Sequence, residues 1–255
     1  MTSAAVDAGD DAPAPPSGFD SSAPVADASD AAPAPPPGTC PIAGEEPNVI
    51  DDGSWPGQNA TIVPQCGRSG GWFAINDGAS GQVPAANAPF GPFLTDTPPN
   101  GAKGYVRTWG TLSLTSTETK AQPHWGAEIG FDLDDDATGN PQPYDLRAAS
   151  YSGISFWVRI GPGNQVTPLW FDVPNQATSA LSDGAYHSYS FPAPSEGVWT
   201  KVTVPFTSLV QPSWTPASER YAFDPTTAET IQWNFDSAAA QALDFDVAIG
   251  DVELW

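Results

Sequence analysis

The chain has 255 residues and a formal net charge of −22, from 30 Asp and Glu against 8 Lys and Arg. A field of that sign repels nucleic acid and anionic lipid and attracts cations, which sets polynucleotides and membrane surfaces aside as partners. No stretch of the sequence reaches the roughly 18 consecutive apolar residues of a membrane-spanning helix, and Met1 is not followed by the basic start and apolar run of a signal peptide.

Residues 1–39 are built from Ala, Pro, Asp, Ser and Gly, and Ala-Pro-Ala-Pro-Pro recurs at Ala12 to Pro16 and Ala32 to Pro36. Phe19 and two Val are their only sizeable apolar groups. Such a segment cannot bury enough surface to offset its ordering entropy, so residues 1–39 are expected to be a disordered, semi-extended tether. The globular part is then residues 40–255. In a bacterial protein a tether of this kind usually follows an export signal and a lipidated cysteine, so a lipoprotein-type leader ahead of Met1 and a secreted or cell-surface location are expected. Cys40 is a poor lipidation site, since Pro-Gly-Thr precedes it. All ten Trp and every basic residue lie beyond the tether, whose six Asp leave 24 acids against 8 bases on the remainder.

Cys40 and Cys66 stand 26 residues apart at the margin of the globular part. With no third Cys and no nearby His they make a poor metal site, and a reactive thiol has no visible base. A disulfide that pins the entry of the domain is the better reading, contributing on the order of 3 kcal/mol by loop closure. It favours an exported protein.

The chain has 24 Gly and 29 Pro, and those beyond Cys40 interrupt almost every long helical window there. Nine strand candidates follow in order: 71–76, 105–116, 124–133, 154–160, 167–173, 186–191, 199–205, 229–234 and 245–254. In the fourth, Ile154, Phe156, Val158 and Ile160 share one face and Ser155, Trp157 and Arg159 the other, so it should sit inside a sheet with neighbours on both sides. In the third, Trp125, Ala127, Ile129 and Phe131 fall together, opposite His124, Glu128 and Asp132. Residues 237–243 read as one helical turn or a loop. Nine such runs separated by turn signals predict an all-β protein, a β-sandwich.

Asn48-Val-Ile-Asp-Asp52, Gly67-Arg-Ser-Gly-Gly-Trp-Phe73, Trp125-Gly-Ala127 with Gly130-Phe131, Tyr151-Ser-Gly-Ile-Ser-Phe-Trp157, Trp199 to Pro205, Ile231-Gln-Trp233 and Phe245 to Val252 come in a telling order. Across residues 48–255 this order resembles the galactose-binding-like β-jelly-roll domains of secreted bacterial proteins, and among them carbohydrate-binding modules of the family-11 type. The resemblance implies a jelly-roll sandwich that binds polysaccharide or oligosaccharide without altering it. It also implies a structural calcium between first and last strands, held here by Asp51 or Asp52 and Asp251. The chain departs from the family where Gly53-Ser54 replaces the usual Phe-Glu, removing a charged ligand, and where a Cys pair before the Trp199 strand is missing. Asp132, Asp134, Asp135 and Asp136 match only part of a calcium loop and read better as an exposed acidic turn.

For the ligand, strand alternation offers one face carrying Glu128, Arg159, Asp172, Trp157 and Trp170. Sugars are recognised by such a mixture, because an aromatic ring covers the C–H face while carboxylates and guanidinium groups bind hydroxyls. Trp157 and Trp170 are equally readable as packing residues, and Trp109, Trp214 and Tyr221 as a lip or as caps on the sandwich ends. No Gly-x-Ser-x-Gly elbow is present, the only histidines are His124 and His187, and no motif singles out a pair of acids, so an enzyme is not expected. The sequence therefore predicts a monomeric glycan-binding jelly-roll; the alternative is a surface-anchored interaction or structural module of the same fold without a sugar site.

Overall fold

The computed structural model describes residues 48–55, 61–91, 93–99, 101–115, 124–147, 151–181, 184–238 and 240–255. The chain divides into two units, Met1–Ala34 and Pro35–Trp255. The first unit, the whole of the expected tether, and Cys40 with its expected bridge to Cys66 lie outside the described residues.

The strands are β1 (Val49–Asp51), β2 (Trp72–Asn76), β3 (Gly81–Val83), β4 (Val106–Leu112), β5 (Gly126–Asp132), β6 (Gly153–Ile160), β7 (Leu169–Val173), β8 (His187–Phe191), β9 (Thr200–Pro205), β10 (Thr230–Asp236) and β11 (Leu243–Leu254). All nine expected runs form strands. The two that the sequence pattern did not show, β1 and β3, have three residues each, too few for an alternation to register. Residues 237–242, where residue 239 is not described, make no helix; Leu243 already belongs to β11.

One sheet runs β2-β5-β10-β7-β8; the other runs β3-β4-β11-β6-β9, with β1 also on β11. Every pairing is antiparallel. The two sheets form a β-sandwich jelly-roll, and β6 has the interior position expected of it, between β11 and β9. Ile154, Phe156, Val158 and Ile160 are buried between the sheets. There Trp233 meets Trp72 at 5.7 Å, Phe156 at 5.1 Å and Phe171 at 5.5 Å. Each such ring contributes about 1.5–3 kcal/mol by leaving water. Trp125, expected beside Ala127 on the core face, is instead 39% exposed. Gly126 turns the chain there at φ +121°, so the alternation of β5 starts only after Trp125.

Candidate functional site

Because the core takes Ala127, Ile129 and Phe131 from β5, Ile231, Trp233 and Phe235 from β10, and Leu169, Phe171 and Val173 from β7, the alternate residues form the outer face of the five-stranded sheet. Register aligns them in rows. Glu128 lies opposite Ile75 and Asn234, and Trp170 lies opposite Asn234 and Ser190. In the next row Gly130 lies opposite Phe73 and Gln232, while Asp172 lies between Gln232 and Ser188. Gly130 keeps the floor low: a Cβ there would come within 2.8 Å of the Phe73 ring and of the Gln232 Cβ.

A cavity of about 360 Å³ stands on this face, with Phe73, Ile75, Glu128, Tyr186, Glu229 and Gln232 in its lining. Its size is that of a small-molecule site. The rim has local causes. Asn175 and Thr178 cap the short helix α1 (Gln176–Ser179) reciprocally, Asn175 Oδ1 accepting from Thr178 N–H at 3.1 Å and Thr178 Oγ1 from Asn175 N–H at 3.0 Å, which fixes Pro174 and Ser179 against the cavity. On the other side the loop after β5 folds on its own Asp136, whose carboxylate accepts from the backbone N–H groups of Thr138 and Asn140 and so holds Pro141 in the lining. That carboxylate is spent on its turn, as an exposed acidic loop requires.

Glu128 and Asp172 are only 6% exposed although they stand on an outer face. Burial raises Glu128 well above the ordinary carboxylate range, and the charge of Asp172 adds to the effect. Burial pushes Asp172 up to about 7, against hydrogen bonding from Ser188, Asn234 and Gln232. Of those three, Asn234 Nδ2 donates to Asp172 Oδ2, while Asp172 Oδ1 and Gln232 Nε2 remain buried without a partner of normal geometry. Asp132, at the end of the face, is raised to about 6 by burial while accepting from the Thr230 hydroxyl at 2.9 Å.

No described cation compensates these acids. Lys103 pairs with Asp52, Arg107 with Asp246, Arg147 with Asp145 and Lys201 with Glu253, while Arg68 and Arg220 donate to backbone carbonyls. Arg159, expected beside Glu128 and Asp172, is on the other sheet. It lies over the rings of Trp199 at 4.8 Å and Tyr105 at 5.2 Å, and donates to the Tyr105 hydroxyl and to the Asp96 carbonyl. Trp157 shares that outer face, opposite Gly250 and Lys201. The single five-residue face read from the sequence is therefore corrected to two. Glu128, Asp172 and Trp170 stand together; Arg159 and Trp157 stand on the opposite side of the sandwich. Alternation reveals which residues share a side of one strand, but not which sheet that strand joins. Trp109, in β4, also belongs to the second face, whereas Trp214 and Tyr221 are exposed in loops.

The calcium expected from Asp51, Asp52 and Asp251 does not fit these residues. Asp51 is buried and accepts from Gly53 N at 3.1 Å, Trp55 Nε1 at 2.8 Å and Trp72 Nε1 at 2.9 Å; burial pushes its carboxyl up to about 7 and these donors pull it down. Asp52 holds the Lys103 ammonium at 2.8 Å. N–H groups and an ammonium thus occupy the oxygens that Ca²⁺ would need. Asp251 is buried at the bulge of β11, at φ 51°. Among the described residues no group of three or more His, Cys, Asp or Glu is placed to hold a metal ion. The described His124 meets Ser113 Oγ at 2.5 Å, and Ser113 Oγ donates to Asp77 Oδ2 at 3.3 Å.

Phe73, Ile75, Tyr186, Glu229, Gln232 and Asn234 escaped the sequence reading. The polar positions flanking Trp233 in β10 carried a usable signal, since a strand that alternates Gln, Trp, Asn must present both amides on one side.

No family model matches the sequence, and no curated protein sequence matches it. Among solved structures the chain is similar to a family 11 carbohydrate-binding module from Clostridium thermocellum in complex with a β-1,3-1,4-mixed-linked tetrasaccharide, at 13% identity and a TM-score of 0.47, over 81% of this chain and 94% of that one. It is also similar to a family 30 carbohydrate-binding module at 11% identity and a TM-score of 0.46, over 78% and 84% of the two chains. A third likeness is the CBM22-1 xylan-binding domain from Paenibacillus barcinonensis, at 11% identity and a TM-score of 0.40, over 83% and 94%. Likenesses this distant leave function to be judged on the chain's own residues.

Proposed function

We propose that the chain is a non-catalytic polysaccharide-binding module, exported and tethered to a surface, acting as a monomer through the outer face of the five-stranded sheet. The observation that carries this reading is the walled cavity of about 360 Å³ in which apolar Phe73, Ile75 and Tyr186 face the buried polar groups of Glu128 and Gln232, with Asp172 in the adjoining register position. A sugar presents the matching surface: an apolar C–H face for the rings and hydroxyls for the polar side of the lining. The floor is built on paired strands, so little ordering cost falls on binding. Trp170, half-buried next to Asn234, extends the face by one aromatic platform.

Affinity electrophoresis of the full chain through gels containing a panel of polysaccharides tests the reading. Retardation by at least one class is expected, with Trp170→Ala weakening it at least tenfold while the melting temperature holds. Absence of retardation from folded protein in every gel defeats the proposal, and a large loss of melting temperature in Trp170→Ala makes that residue a packing group. In that case the exposed Val210, Trp214 and Tyr221, gathered in residues 210–221 beside β8, favour an interaction module instead.

A further inference from the structure

On the basis of that reading, we infer that the polysaccharide this face takes carries free primary ammonium groups, as de-N-acetylated amino sugars do, rather than being neutral or acidic. Glu128 and Glu229 line the cavity, Asp172 adjoins it through Gln232, and Asp132 closes the end of the same face beside Thr230. Among the described residues no Lys, Arg or His stands in its lining. The neighbours of Glu128 are Ile75 on β2, Asn234 on β10, and, from the next row and the rim, Phe73, Gln232, Asp172 and Tyr186, none of them cationic. The seven described Lys and Arg are committed elsewhere in the molecule.

An ionised carboxylate buried without a counter-charge is costly, so the two acids keep their protons until a cation beside them favours the charged form. A ligand ammonium supplies three N–H donors and a positive charge to Glu128 in the lining, and its charge acts on Asp172 in the adjoining register position; sugar hydroxyls supply donors only in neutral form. Uronic acids and sulfated chains meet like charge here and are rejected. Since burial holds both carboxyls high while the face is empty, an arriving ammonium displaces protons from them, and binding releases protons to the buffer.

Titration calorimetry of the full chain with a glucosamine hexamer, its fully N-acetylated counterpart and cellohexaose at pH 6, each in two buffers of different ionisation enthalpy, tests the inference. The amine-bearing hexamer is expected to bind at least tenfold tighter than cellohexaose, with net proton release, and both Glu128→Gln and Asp172→Asn should reduce that preference. Spermine controls for the general attraction of an acidic protein to polycations. Equal or weaker binding of the glucosamine hexamer than of cellohexaose overturns the ammonium while leaving polysaccharide binding intact. Spermine binding as tightly as the glucosamine hexamer, or a preference undiminished in both variants although each melts like the parent, shows bulk charge at work and overturns it as well. If no sugar binds, the proposed function falls with it.

Discussion

Asp172 sets the terms at the scale of single residues. Its carboxyl moves from an ordinary value of 3.8 to about 7 through burial, so between those values the folded chain holds a proton that the unfolded chain has released. Stability must then decline as pH rises from about 4 to about 7, and the decline is complete above the folded value. Asp172→Asn removes the charge and keeps the shape. Its melting temperature is expected to match the parent at pH 4 and to exceed it at pH 8 by at least 2 °C, roughly the shift that 1 kcal/mol produces in a domain of this size. Identical thermal melts at pH 8 would show that the carboxylate is already relieved in the free protein. A functional site that lowers the stability of its own fold is a common trade. Asp51 is raised to about 7 by burial as well, but both of its oxygens have donors. Asp51→Ala leaves the indole N–H groups of Trp55 and Trp72 orphaned, at about 1–3 kcal/mol each, so a clear fall in melting temperature is expected. Chelator should leave the parent's melting temperature unchanged; a drop on chelation would reinstate a metal.

At the scale of elements, β6 shows how one strand can carry two unrelated tasks. Its inner side supplies Phe156 to the aromatic core, stacked 5.0 Å from Phe171. Its outer side is closed over by residues 93–99 and 101–105, which place Tyr105 and the Asp96 carbonyl on Arg159, and Pro98 and Tyr105 over Gly250. Arg159 is thus a fastener between β6, the Asp96 turn and Trp199, whose indole also donates to Asp96 at 2.7 Å. Arg159→Ala gives up two cation–π contacts of about 0.5–1 kcal/mol each. It is expected to lower the melting temperature by a few degrees and to leave retardation by polysaccharide unchanged; lost binding with unchanged stability would move the site to this second face. The strands of the five-stranded sheet divide their work differently, because their outer side stays open enough to hold a cavity.

At the scale of the whole molecule, a chain with a net charge of −22 carries a face on which no described cation stands. Long-range attraction and the local chemistry of the face therefore favour the same ligands, and high salt should weaken the first more than the second, because exposed charges are screened over about 10 Å at 0.1 M salt while buried ones are screened less. Residues 1–39 carry six of the acids and almost no apolar surface. Their removal is expected to change neither the melting temperature nor polysaccharide retardation, as read by thermal melts and affinity gels of the shortened chain. A fall in either would assign the segment to the folded part.

The sequence by itself determined the all-β class, nine of the strands and most of the inner faces of β5, β6 and β7. Each of these follows from local rules: Gly and Pro break helices, and a period of two separates the sides of a strand. It also exposed the acidic character of the chain, and three of the residues that share the candidate site. Only the tertiary structure decided which outer faces coincide. Glu128 and Arg159 have the same local pattern, yet β5 and β6 lie in different sheets, and pairing order depends on long-range contacts that no window of sequence contains. The fate of Asp51 was equally invisible, since its donor Trp72 lies 21 residues away. The cavity likewise draws its lining from segments far apart in the chain: Pro174 and Ser179 beside the capped turn at Asn175, and Pro141 from the self-capped loop at Asp136, meet Glu128 on one sheet face.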